Sequence, residues 1–181
     1  MLQIVAAPIL VIADTTLPFE LNSTDLLTNN SIKISTQFND KKALVFIFMS
    51  SKCPCSNSHV SEVKGLQKKY SDFTFFVVHS NVNEDIEFSK KYFTSLEVPF
   101  KVLQDSDAKL ADTLKAYKTP HAFVISHKGE ILYKGGVTNS NTAEKADKHY
   151  LAEALEDIQN NRPVKTPEAK ALGCFISREK D

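Results

Sequence analysis

A chain of 181 residues, 42% hydrophobic and 24% charged, carries enough apolar mass for one domain with a real core and too little for two. Its 22 basic residues balance 22 acidic ones, so no global charge draws it to nucleic acid or to an acidic surface, and no nucleic-acid partner is expected. Three cysteines, Cys53, Cys55 and Cys174, are too few for a disulfide scaffold and odd in number, which points to chemistry before stapling.

Residues 1–13 form an apolar stretch too short to cross a bilayer as a helix. It resembles the core of an export leader, with Val11-Ile12-Ala13 as a cleavage site, although no basic residue precedes it. The reading is a periplasmic or secreted protein whose mature domain does not insert stably in a membrane; a cytoplasmic protein with a structural strand here is the alternative. LPFELNS and SIKIS then read as short strands around an Asn29-Asn30 turn. Ala43 to Met49 is an almost unbroken run of Val, Ile, Leu and Phe, as in a strand covered on both faces.

Cys53 follows that run, and Pro54 fixes a backbone angle suited to a first helical turn. Val60, Val63, Leu66 and Tyr70 continue at helical spacing, which predicts a helix of about four turns ending near Tyr70. A sulfur at a helix start faces unpaired N–H groups and the positive end of the dipole, and both favour thiolate. DFTFFVVHS is a second buried strand, so strand, helix and strand make a right-handed parallel crossover unit. A helix is predicted over 83–96 with Ile86, Phe93 and Leu96 inward, then a strand in VPFKVLQD and a short helix in AKLADTLKAYK. Lys118-Thr119-Pro120-His121 leads into the strand AFVIS, HKGE is a hairpin turn, and ILYKGG returns. Tyr150, Leu151, Ala154, Leu155 and Ile158 mark a closing amphipathic helix. RPVKTPEAK is an extended arm, yet it ends in Leu172-Gly173-Cys174-Phe175-Ile176, apolar enough to dock back on the domain. The organisation is therefore a leader over 1–13, one domain over 14–161 and a C-terminal arm over 162–181 that carries Cys174.

This order of elements, with a cysteine at the first crossover helix and Thr-Pro before an antiparallel pair, resembles the thioredoxin-like redoxin family, which holds AhpC/TSA-type proteins and exported thiol-disulfide oxidoreductases. A subset carries Cys-Pro-x-Ser-Asn and a C-terminal Gly-Cys, matched by Cys53-Pro54-Cys55-Ser56-Asn57 and Gly173-Cys174. The resemblance implies an α/β fold, a central mixed sheet flanked by helices, here with an N-terminal β extension and the C-terminal arm. It makes Cys53 the nucleophile and puts Ser56 where the partner cysteine of Cys-x-x-Cys would stand. Pro120 becomes a cis-proline, with the Thr119 carbonyl against the reactive sulfur, ready to pair with substrate backbone.

At about 100° per residue, helical positions two apart point to nearly opposite sides, so Cys55 is expected to face away from Cys53 in a structural role. Cys174 is then the candidate resolving cysteine, with an inert packed thiol and intermolecular pairing as alternatives. His121 could set an imidazole near Cys53, whereas His59 and His79 read as a helix-surface and a strand-end residue. The expected function is thiol-disulfide exchange with protein thiols or disulfides, or small thiols, without a cofactor. A copper or zinc carrier using Cys53-Pro54-Cys55 is the alternative. A peroxidase is a further one: Ser50 fits the hydroxyl position of the peroxidatic motif Pro-x-x-x-Thr-x-x-Cys, but Phe46 stands in the proline position.

Overall fold

The computed structural model describes residues 21–178, so the leader and most of LPFELNS lie outside the described residues. Thirteen elements run in the order β1 (Asn22–Asp25), β2 (Ser31–Lys33), β3 (Ala43–Phe48), α1 (Pro54–Lys69), β4 (Phe73–His79), α2 (Ile86–Ser95), β5 (Lys101–Gln104), α3 (Lys109–Thr113), β6 (Lys118–Thr119), β7 (His121–Ile125), β8 (Ile131–Gly135), α4 (Tyr150–Gln159) and β9 (Cys174–Phe175). Seven strands make one mixed sheet in the order β2-β1-β5-β4-β3-β7-β8, and β6 with β9 makes a separate two-stranded ladder. β3, β4 and β5 are parallel neighbours, while β7 and β8 run antiparallel beside β3.

The continuous apolar run of β3 has its reason in this position. All six of its residues are buried. Ala43, Val45 and Ile47 face one core with Val60, Val63 and Leu66 of α1, Phe93 of α2 and Leu151, Ala154 and Leu155 of α4. Leu44, Phe46 and Phe48 face the other with Leu110 and Ala111 of α3 and Leu114 just beyond it. At about 1.5–3 kcal/mol for each large side chain withdrawn from water, β3 is the strand on which both layers depend.

Three elements differ from expectation. The SIKIS strand stops at Lys33, and Ile34–Gln37 form a 3-10 turn. α2 starts at Ile86 because the Asp85 carboxylate caps it, accepting from Phe88 N at 2.7 Å. Ile86, expected inward, therefore lies in the first turn and is 44% exposed. α3 is only Lys109–Thr113, since Lys115 has φ 55° and Ala116 N closes the turn on Ala111 O.

The arm is held along its length. Arg162 Nε and Lys165 N donate to the two oxygens of Asp157, and Pro167 and Ala169 bond to both backbone groups of Lys134 on β8. Ala171 is buried, and three residues later the chain enters β9. Ile176 then inserts into the second core.

Candidate functional site: a disulfide under an added strand

Cys53 is the N-cap of α1 with extended angles, φ −83° and ψ 118°, and Pro54 is the first helical residue. The turn before it is tied by the Ser50 hydroxyl, which accepts from Lys52 N at 3.1 Å and Cys53 N at 3.0 Å and donates to Glu84. Glu84 is the buried anchor of this loop. Besides Ser50 it accepts from Ser51 N at 2.9 Å, the Ser51 hydroxyl and His79 Nε2 at 3.2 Å. Burial works to raise its carboxyl, but these hydrogen bonds outweigh it and hold the group at about 2. Ser89, also buried, joins Ser51 to His79 on the far side.

Cys53 and Cys174 are joined by a disulfide, with Cα atoms 6.1 Å apart, inside the usual range. The Thr119–Pro120 peptide is cis, and the Thr119 carbonyl oxygen lies 3.3 Å from Cys53 Sγ. β9 runs antiparallel to β6 with Thr119 opposite Cys174 and Lys118 opposite Phe175. The arm thus arrives as a strand laid on the residue before the proline, with its sulfur on Cys53.

Cys55 is not where helical spacing put it. Its sulfur and those of Cys53 and Cys174 all lie within 4.8 Å of one another. The rule of about 100° per residue applies inside a helix, and Cys53, as the extended cap, stands outside it. Ser56 turns inward instead: it is fully buried, and its hydroxyl accepts from Ser50 N at 3.1 Å.

The hydrogen bond of His121 goes to Tyr117 rather than to the sulfur. The residue is buried on β7, its Nδ1 accepts from Tyr117 N, and its ring lies between those of Tyr117 and Phe123 at 5.0 and 4.5 Å. Burial, assisted by the charge of Lys134, pushes it down to about 4, so it is neutral at pH 7. His59, expected at the helix surface, is fully buried; its Nδ1 donates to Cys55 O at 2.8 Å and its Nε2 pairs with the Thr138 hydroxyl at 2.9 Å. His79 does end its strand, but buried against Glu84.

Sequence reading missed Glu84, placing it as helix-start charge. The available signal was three consecutive acceptors, Asn83, Glu84 and Asp85, where a cap needs only one. Phe46, in the proline position of the peroxidatic motif, sits in mid-strand in the core.

The mixed sheet and flanking helices define a thioredoxin-like α/β protein. The family model described as Redoxin matches residues 13–151, and the chain belongs to that family. Among solved structures, an uncharacterized conserved protein from Geobacillus kaustophilus superposes with a TM-score of 0.80 at 22% identity, covering 93% of this chain and 92% of its own. A secreted disulfide oxidoreductase of Mycobacterium tuberculosis gives a TM-score of 0.59 at 14% identity over 76% of this chain and 96% of its own. A peroxidoxin from the same organism gives 0.61 at 15% over 82% and 96%. No curated protein sequence matches the chain. Among the described residues no helix is long and apolar enough to cross a membrane.

Proposed function

We propose that this redoxin is a thiol-disulfide oxidoreductase in which Cys53 attacks and Cys174 resolves. The observation that carries the reading is the Cys53–Cys174 disulfide at the start of α1, beside the Thr119 carbonyl. In the reduced protein the helix dipole and the open N–H groups of the first turn stabilise a Cys53 thiolate. That thiolate attacks one sulfur of a substrate disulfide; the other leaves as thiolate, taking the electron pair, and a mixed disulfide with Cys53 forms. Cys174 thiolate then attacks Cys53 Sγ and releases the second substrate thiolate. The protein is left oxidised and the substrate reduced by two electrons, and an external dithiol restores the start.

Ser56 and the Glu84–Ser50 pair serve as positioning groups for the loop, and Pro120 sets Thr119 beside the sulfur. The catalytic unit is the domain over 14–161 together with the arm over 162–181. The leader-like residues 1–13 and the secreted structural relative support a location outside the cytosol, which N-terminal sequencing of natively expressed protein checks.

Non-reducing peptide mapping of protein prepared without reductant tests the pairing: a Cys53–Cys174 linked peptide with Cys55 free is expected. In Cys174→Ser the Cys53 mixed disulfide accumulates, and in Cys53→Ser disulfide reduction is lost. Undiminished turnover in Cys53→Ser would sink the reading.

One observation favours a second reading, a soft-metal carrier. Once the disulfide is reduced, three sulfurs within 4.8 Å offer a trigonal thiolate set suited to Cu(I), with a tetrahedral Zn(II) needing one further ligand. Stoichiometric Cu(I) retained through gel filtration by reduced protein, and lost in Cys55→Ser, would promote it.

A further inference from the structure

We propose that Leu172–Arg178 is a built-in substrate strand, and that the edge it occupies selects extended peptides whose reactive cysteine is preceded by glycine and followed, two residues on, by an apolar side chain. The proposal deepens the exchange reading above and rests on it.

The arm contacts the site through its backbone. Ile176 N donates to Tyr117 O at 3.1 Å, and in antiparallel register the next hydrogen-bonded pair is Thr119 with Cys174. Backbone pairing of this kind is open to any extended chain, so selectivity must come from the side-chain positions along it. Those positions are unequal.

The position before the cysteine admits no Cβ. One built on Gly173 would stand 2.0 Å from Thr119 O and 2.9 Å from Thr119 C, and Gly173 has φ +145°. The obstructing atoms are backbone, followed directly by Pro120 and by β7 of the main sheet, so no rotamer change clears them. A larger residue has to lift the strand off the edge and away from Cys53. The position after the cysteine is open: Phe175 is 73% exposed, with Lys118 Nζ placed over its ring at 3.2 Å. The next is closed and apolar, since Ile176 is 5% exposed within the second core. The pattern accepted is glycine, cysteine, any residue, apolar residue.

Because one strand can occupy the edge at a time, a substrate enters only after an external dithiol has reduced Cys53–Cys174 and the arm has left. Cys53 thiolate then attacks the peptide sulfur, the peptide's old disulfide breaks, and its other half departs as thiolate with the electron pair.

The test uses full-length, reduced Cys174→Ser and two peptides, Ala-Leu-Gly-Cys-Phe-Ile-Ser and Ala-Leu-Ala-Cys-Phe-Ile-Ser, each as a mixed disulfide with thionitrobenzoate. Release of thionitrobenzoate is followed by absorbance, normalised to the rate of each peptide with free cysteine, and the Cys53 adduct is weighed. The glycine peptide should react at least about tenfold faster, the loss expected when one or two ladder hydrogen bonds cannot form. Replacing the peptide isoleucine by aspartate should slow it by a similar factor. Equal normalised rates for glycine and alanine overturn the proposal and leave thiol exchange standing. Failure of Cys53 to react even with dithionitrobenzoate overturns the exchange reading and the proposal together. Freshly reduced wild type, whose own arm competes equally with both peptides, gives the same ratio if Cys174→Ser folds poorly.

Discussion

Replacing Glu84 by glutamine removes the charge that four donors converge on and tests the loop beneath Cys53. The carboxyl is 8% exposed and held at about 2, against an ordinary 4.5, by hydrogen bonds from His79, Ser50 and Ser51 that outweigh its burial. At 1.36 kcal/mol per pKa unit, the depression amounts to about 3 kcal/mol of folded-state stability at neutral pH. Since the folded group titrates below the unfolded one, this stability is present in full above the unfolded value of 4.5. It is lost as pH falls from there toward about 2. The amide of Glu84→Gln has one acceptor oxygen and brings two donors, so at least one of the Ser50, Ser51 and His79 donors loses its partner. Urea unfolding at pH 7 should show Glu84→Gln less stable by about 2–4 kcal/mol. Below pH 4.5 the two proteins should converge, because the wild type alone loses the carboxylate contribution. Equal stability at pH 7 together with an equal loss of stability on acidification would refute the reasoning.

Cys174→Ser opens a covalent loop of sequence separation 121, and loop-closure entropy sets the loss at up to about 5 kcal/mol in unfolding of the oxidised protein, against under about 1 for Cys55→Ser. His121, buried and held at about 4 against an ordinary 6.5, should stay neutral in an NMR titration down to about pH 5. The folded group titrates below the unfolded one, so its contribution is complete above pH 6.5 and is lost between 6.5 and about 4; His121→Phe should flatten that part of the stability profile. Phe175→Ala removes the ring beneath Lys118 Nζ, worth about 0.5–1 kcal/mol at an exposed site. Dithiothreitol should then reduce the Cys53–Cys174 bond about two- to fivefold faster, and an unchanged rate would show that the contact does not hold the arm.

The long elements were legible because their signals are local. The apolar run of β3, the proline after Cys53 and the helical spacing from Val60 to Tyr70 fix a strand and a helix without help from the rest of the chain. Docking of the tail was legible too, from Leu172, Cys174, Phe175 and Ile176 clustered at the end of a polar arm. What failed was orientation at element ends. Cys55 was misplaced because helical angles were carried one residue past the helix start, to a cap that does not obey them. His59 sits at a polar-looking position on α1, and its burial depends on Thr138, 79 residues away. Glu84 likewise acquires its role from Ser50 and Ser51, 34 and 33 residues earlier, and neither partnership leaves a period in the sequence.

The anchoring of the arm on β8 sets the competition for the reactive sulfur. Pro167 and Ala169 are bonded to Lys134, and Ala171 is buried, so when the disulfide opens Cys174 stays within three residues of a fixed point of the arm. A fully extended run from Ala171 to Cys174 reaches about 10 Å, and confinement to a sphere of that radius corresponds to a local thiol concentration of about 0.4 M. A monothiol at millimolar strength that captures Cys53 is therefore expelled by Cys174 far faster than a second monothiol molecule can arrive. A dithiol meets no such handicap, because its second sulfur is equally local once the first has reacted. Under the exchange cycle proposed above, the tether thus favours recycling by reductants that carry two thiols.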